Sequence, residues 1–185
     1  MKNLPHSYRA TVAATAGLDT AWILRGDDLG DVFCAIPPEF EGPGSAWSPE
    51  HLFVGSAASC LAAMFKVLAR NSRLSFSRLH VEGDGTLDRN DAGELRISRI
   101  DLHAELRIEH ERDRARATRL LEKARESSIL FRSLNAEVGF TFEVETETIS
   151  EPVSALHPLL TEPMPLPSPR HRAASSQDRT DSVAA

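Results

Sequence analysis

A single cysteine, Cys60, stands among small and apolar neighbours, and a carboxylate, Glu50, precedes it by ten residues. A cysteine acts as a nucleophile or redox centre through its thiolate, and the thiolate needs an electropositive, partly open surround. Cys60 therefore offers sulfur chemistry on one reading. On the other it is a small core side chain, because cysteine is among the most buried residue types. Neither Lys66 nor Arg70 shares its face at close spacing. The start of its helix lies roughly three turns away, out of reach of the helix dipole.

Glu50 also has two readings. It can be a charge that suits the first turn of a helix, or it can belong to the site of Cys60. On one continuous helix the two α-carbons are about 15 Å apart along the axis, so they cannot meet there. A shared site requires a broken helix or a second copy of the chain. A carboxylate alone beside a thiol disfavours the thiolate, so such a site also needs a cation.

Other motifs are absent. Seven histidines, among them His51 in the first turn of the same helix, are scattered without metal-ligand spacing, and neither a glycine-rich phosphate loop nor a nucleophile elbow is present. No metal and no cofactor is expected. Cys34 falls in a strand-like segment and reads as a core residue.

The element that must position these groups is SPEHLFVGSAASCLAAMFKVLARN, residues 48–71. Ser48 is a good N-cap, Pro49 suits the first helical position and Glu50 suits the dipole. Apolar side chains from Leu52 to Leu68 cover most of the circumference, which implies burial on nearly all sides. The small residues from Gly55 to Ser59 would let another backbone approach closely, including the same helix of a second subunit. Before this helix, residues 8–14, 20–24 and 31–36 read as short strands, and the proline- and glycine-rich 37–47 as a loop.

After it, a strand runs from about Leu74 to Leu87, RNDAG makes a hairpin turn, and a long return strand follows from Leu95 to Ile108. The apolar alternation of that strand changes phase near Ser98, the mark of a bulge. Asp113 is placed to cap a second helix bearing Ala117, Leu120, Leu121 and Ala124 on one stripe. Val138 to Val144 alternate as a last strand. This order is α+β, with antiparallel sheets and a long central helix. Residues 1–148 form one domain, and residues 149–185, rich in proline and serine, form a tail expected to be disordered.

The 185 residues are 41% hydrophobic and 26% charged, with a formal charge of −6. An acidic chain with no basic stripe suggests no nucleic-acid partner. Lys66 and Arg70 in the apolar run argue against a membrane span. The opening MKNLPHSYRA lacks an apolar h-region, and two cysteines make no disulfide framework, so a cytoplasmic, reduced setting is expected.

Residues 37–65, PPEFEGPGSAWSPEHLFVGSAASCLAAMF, resemble the signature of the OsmC/Ohr family of thiol-dependent hydroperoxide reductases. The features that carry this are the PxEF-like loop, the PE-L-F helix start and the small-residue stretch ending in cysteine, and the order of elements fits over roughly residues 7 to 148. The resemblance implies an interwoven homodimer with active sites at the subunit interface. It also implies that Cys60 is the peroxidatic thiolate, that Glu50 holds a catalytic arginine, and that a second cysteine resolves the sulfenic acid before reduction by an external dithiol. Two positions depart from the pattern. Serine, Ser128, replaces the resolving cysteine, so a sulfenic acid on Cys60 would be met by an external thiol or by Cys34 if the fold brought it close, and Leu18 stands where the Ohr branch has its arginine. Arg9 and Arg25 are nearby, and Arg25 is the candidate for that role.

The expectation is thus an atypical OsmC-like peroxidase that reduces a small organic hydroperoxide through Cys60, Glu50 and Arg25, with an external thiol as reductant. The alternative is a non-catalytic OsmC-like protein that binds a small hydrophobic ligand at the dimer interface.

Overall fold

The computed structural model describes residues 4–147. The expected tail, 149–185, lies outside the described residues. Three short strands come first: β1 (Ala10–Ala13), β2 (Trp22–Gly26) and β3 (Val32–Cys34), joined as an antiparallel sheet in that order. A single turn of 3₁₀ helix, Pro38–Phe40, then leads toward α1 (Pro49–Asn71). The strands β4 (Phe76–Arg89) and β5 (Leu95–Ile108), the helix α2 (Arg114–Ser127) and the strand β6 (Glu137–Thr146) complete the fold.

β4 and β5 form a long antiparallel hairpin, and β6 pairs parallel to β5. The second sheet, in the order β4-β5-β6, is therefore mixed rather than antiparallel throughout. The parallel pair follows from the connection: α2 carries the chain back across the sheet, so β6 enters in the direction of β5. The phase change near Ser98 is a real bulge. Thr86 pairs with Arg99 and Leu87 with Ile97, which leaves Ser98 as the extra residue.

The core lies between this sheet and both helices. Ile100, Leu102, Ala104, Leu106 and Ile108 alternate inward along β5. They meet Ala57, Leu61, Phe65 and Ala69 of α1 and Ala117, Leu121 and Ala124 of α2. Phe65 and Phe76 add an edge-to-face ring contact at 5.3 Å. Local chemistry sets the helix ends. Ser48 Oγ accepts the His51 backbone N–H at 3.2 Å, and Ser72 Oγ donates to the Leu68 carbonyl at 2.8 Å. Asp113 does not cap α2 with its side chain. A 3₁₀ turn over Glu111–Asp113 gives it helical backbone angles, and its carboxylate instead pairs with Arg116 at 2.6 Å.

Within one chain α1 is not covered on nearly all sides, as its composition suggests. By length and composition it could cross a bilayer, yet one stripe of it is built into the core while Phe53 and Val67 remain exposed. The first sheet is bare as well: β1 is exposed along its length, and Val12 and Phe33 stand open. At its far edge it is tied to the start of α1, where Ala35 N–H donates to the Trp47 carbonyl and Trp47 N–H to that of Phe33.

Candidate functional site

Cys60 lies in the middle of α1, partly exposed, one position before the fully buried Leu61. Its sulfur has a polar partner. Ser128 Oγ donates to Cys60 Sγ at 3.2 Å, across 68 residues of sequence. Ser128 terminates α2 in an extended conformation and is wholly buried. Its Oγ in turn receives the Phe131 backbone N–H at 3.5 Å, so the hydroxyl proton is left free to point at the sulfur.

Glu50 lies in the first turn of the same unbroken helix, so it and Cys60 of one chain stay about three helical turns apart. Its Oε2 is buried and has no hydrogen-bond partner. A buried carboxylate oxygen in that state carries a desolvation cost that a donor or cation would relieve. Glu50 opens onto a cleft of about 570 Å³ between the N-terminal end of α1, the 37–47 loop and β4, together with Trp47, His51, Val54 and Asp84. Cys60 is not among the residues that line it. His51 joins the capping group there, with Nδ1 2.8 Å from Ser48 Oγ.

Arg25, on β2, is held by Asp31 through two contacts of 2.8 and 2.9 Å. That pairing raises its pKa, mainly through the hydrogen bond and then through the carboxylate charge. No hydrogen bond or ion pair among the described residues links Arg25 to Glu50 or Cys60 of the same chain. Cys34 is buried at the end of β3, and burial pushes its thiol pKa up. Sequence reasoning marked Ser128 only as a lost cysteine. Its hydrogen bond to Cys60 was hidden because nothing local in the sequence shows that the end of α2 meets the middle of α1.

The family model for OsmC-like proteins matches residues 42–143, more than half of the chain. The chain belongs to the OsmC-like family. The matched segment of this OsmC-like chain holds Glu50, Cys60 and Ser128, while Arg25 and Cys34 precede it. The chain is 25% identical over 116 residues to the uncharacterised Bacillus subtilis protein YmaD, covering 61% of this chain and 77% of that one. Its fold is similar to an OsmC-like protein of unknown function from Vibrio cholerae, with a TM-score of 0.68 at 16% identity, covering 75% of this chain and all of the other. It is also similar to an organic hydroperoxide resistance protein from Elizabethkingia anophelis, with a TM-score of 0.61 at 17% identity, covering 80% of this chain and all of that one.

Proposed function

We propose that this OsmC-like protein is a thiol-dependent peroxidase that reduces organic hydroperoxides at Cys60, works as a homodimer and draws its electrons from an external dithiol. The pairing at Cys60 supports this most directly. The position that family resemblance gives to a resolving cysteine holds Ser128, whose Oγ is 3.2 Å from the Cys60 sulfur. The closeness of a two-sulfur redox pair is kept, with one sulfur left.

The Cys60 thiolate attacks the terminal oxygen of the hydroperoxide. The S–O bond forms as the O–O bond breaks, the alkoxide leaves and takes a proton as the alcohol, and the sulfur becomes sulfenic acid. Ser128 has no sulfur to condense with it, and Cys34 is buried. One thiol of the external dithiol therefore attacks the sulfenic sulfur, water leaves, and a mixed disulfide forms. The second thiol displaces Cys60 as a thiol, and the reductant departs as its own disulfide. The unpartnered Glu50 oxygen supports the remaining part of the proposal, in which Glu50 of one chain holds a cation beside Cys60 of the other. Arg25 is the candidate, and it would have to exchange Asp31 for Glu50.

The test is peroxide stoichiometry with an organic hydroperoxide on wild type, Cys60→Ser and Cys34→Ser, with sulfenic acid trapped by dimedone. One equivalent consumed without added thiol, one trapped sulfenic acid on Cys60, and loss in Cys60→Ser alone support the proposal. Loss of recycling in Cys34→Ser would make Cys34 the resolver and end the one-cysteine scheme. A Cys60 indifferent to peroxide would leave the non-catalytic reading, for which the cleft at Glu50 is the place to seek a small ligand.

A further inference from the structure

We propose that Ser128 is itself a catalytic residue: its hydroxyl donates to the reacting sulfur and holds Cys60 as the thiolate, taking the place of a charge partner inside the chain. The inference rests on the peroxidase reading for its role in turnover, but the hydrogen bond stands apart from it. Cys60 sits against the carboxyl end of α2, where unpaired carbonyls give the helix its negative pole. That end is unfavourable to an anion. Within the chain a donor at the sulfur offsets it, and among the described residues Ser128 Oγ is the one that hydrogen-bonds to Sγ.

The surround of the hydroxyl strengthens this assignment. Ser128 is fully buried, so water does not compete for its proton. Phe131 N–H donates into the same oxygen, which polarises the O–H further toward the sulfur. A donor aimed at the ionised form of a group favours that form. A buried hydroxyl needs partners in any case, and here the acceptor it reaches is the sulfur of the one partly exposed thiol. The same hydroxyl adds no sulfur, so the thiolate is stabilised without the option of an internal disulfide.

The experiment follows alkylation of Cys60 by iodoacetamide, read on its peptide by mass spectrometry, for wild type, Ser128→Ala and Ser128→Cys at pH 7 and pH 10, with folding checked by thermal melting. In Ser128→Ala the rate at pH 7 should fall about tenfold, the scale of one hydrogen bond to a charged group, and the gap should close at pH 10 where the thiol ionises unaided. Ser128→Cys, close in volume, should consume one equivalent of hydroperoxide and close a disulfide with Cys60. Equal rates at pH 7 for wild type and Ser128→Ala, or a loss of the same size at both pH values, would overturn the assignment and leave Ser128 as packing. If the pH-dependent loss is found but no variant consumes peroxide, Ser128 keeps its role at the sulfur and the peroxidase reading is the one that fails.

Discussion

Val54 of α1 rests on Gly85 of β4 so closely that a Cβ at Gly85 would lie 2.4 Å from Val54 Cγ2. Gly83, one pleat away, faces Val54 Cγ1 at 3.1 Å and Leu102 Cδ2 at 3.0 Å by the same construction. Two bare positions on β4 thus form the seat into which the N-terminal half of α1 settles. The approach of helix to sheet is set by missing side chains as much as by those present.

Gly85→Ala should therefore destabilise the fold by about 1–3 kcal/mol, the usual range for forcing volume into a packed contact. Val54 is β-branched and held to one rotamer in a helix, so it cannot swing aside. Val54→Ala in the same chain should recover part of the loss. Urea denaturation midpoints of the two single variants and the double variant check this through their non-additivity.

Much of this arrangement was legible beforehand, and the parts that were not share a cause. The bounds of β5, the bulge at Ser98 and the start of α1 at Ser48 all follow from local signals: alternation, a phase slip, a capping hydroxyl followed by proline. The parallel pairing of β6 and the meeting of Ser128 with Cys60 depend on where α2 docks, and no local pattern encodes that. The burial expected around most of α1 is not met within one chain for a related reason. An apolar residue reports that it needs cover, and cannot report whether its own chain supplies it.

Acid should weaken the junction between β6 and the turn before α2. The Glu111 carboxyl is held at about 2, below its ordinary 4.5, by hydrogen bonds from Arg114 first and from Thr146 next. Arg114 also donates to the Val144 carbonyl, so the cluster ties the end of β6 to the start of α2. A carboxyl with a lowered folded value adds stability above its ordinary value and loses it as the pH falls toward the folded one. The melting temperature of wild type relative to Glu111→Gln should thus hold steady above about pH 4.5 and converge as the pH drops toward 2. The effect should be modest and shrink in salt, since the pair is on the surface.

The two cysteines should differ in native-state reactivity. Cys34 is 1% exposed, and its thiol is pushed up by burial, so it stays protonated at neutral pH. Maleimide at pH 7 should label Cys60 in the folded protein and reach Cys34 only when denaturant is added. Equal labelling of both in the native state would contradict the burial of Cys34.

The proposed dimer makes the sharpest prediction, because it bears on the face of α1 that holds the sulfur. Phe53, Ser56, Cys60, Ala63 and Val67 follow one another at steps of three and four, the spacing of a helix–helix seam. The core-facing stripe of the same helix is a different set: Ala57, Leu61, Phe65 and Ala69. At 38% and 48% exposure, Phe53 and Val67 leave apolar area on that seam without cover from their own chain. Covering a side chain of that kind is worth about 1.5–3 kcal/mol when complete. Sedimentation equilibrium should therefore give twice the chain mass of 20.3 kDa. Val67→Glu, which would bury an unpaired charge in the seam, should shift the protein toward monomer, and peroxide consumption at Cys60 should fall with it, because the variant separates the sulfur from the Glu50 of the second chain. A wild-type monomer that still consumed peroxide would mean that the hydroxyl of Ser128 suffices without a second chain, and Glu50 would lose its part in the chemistry.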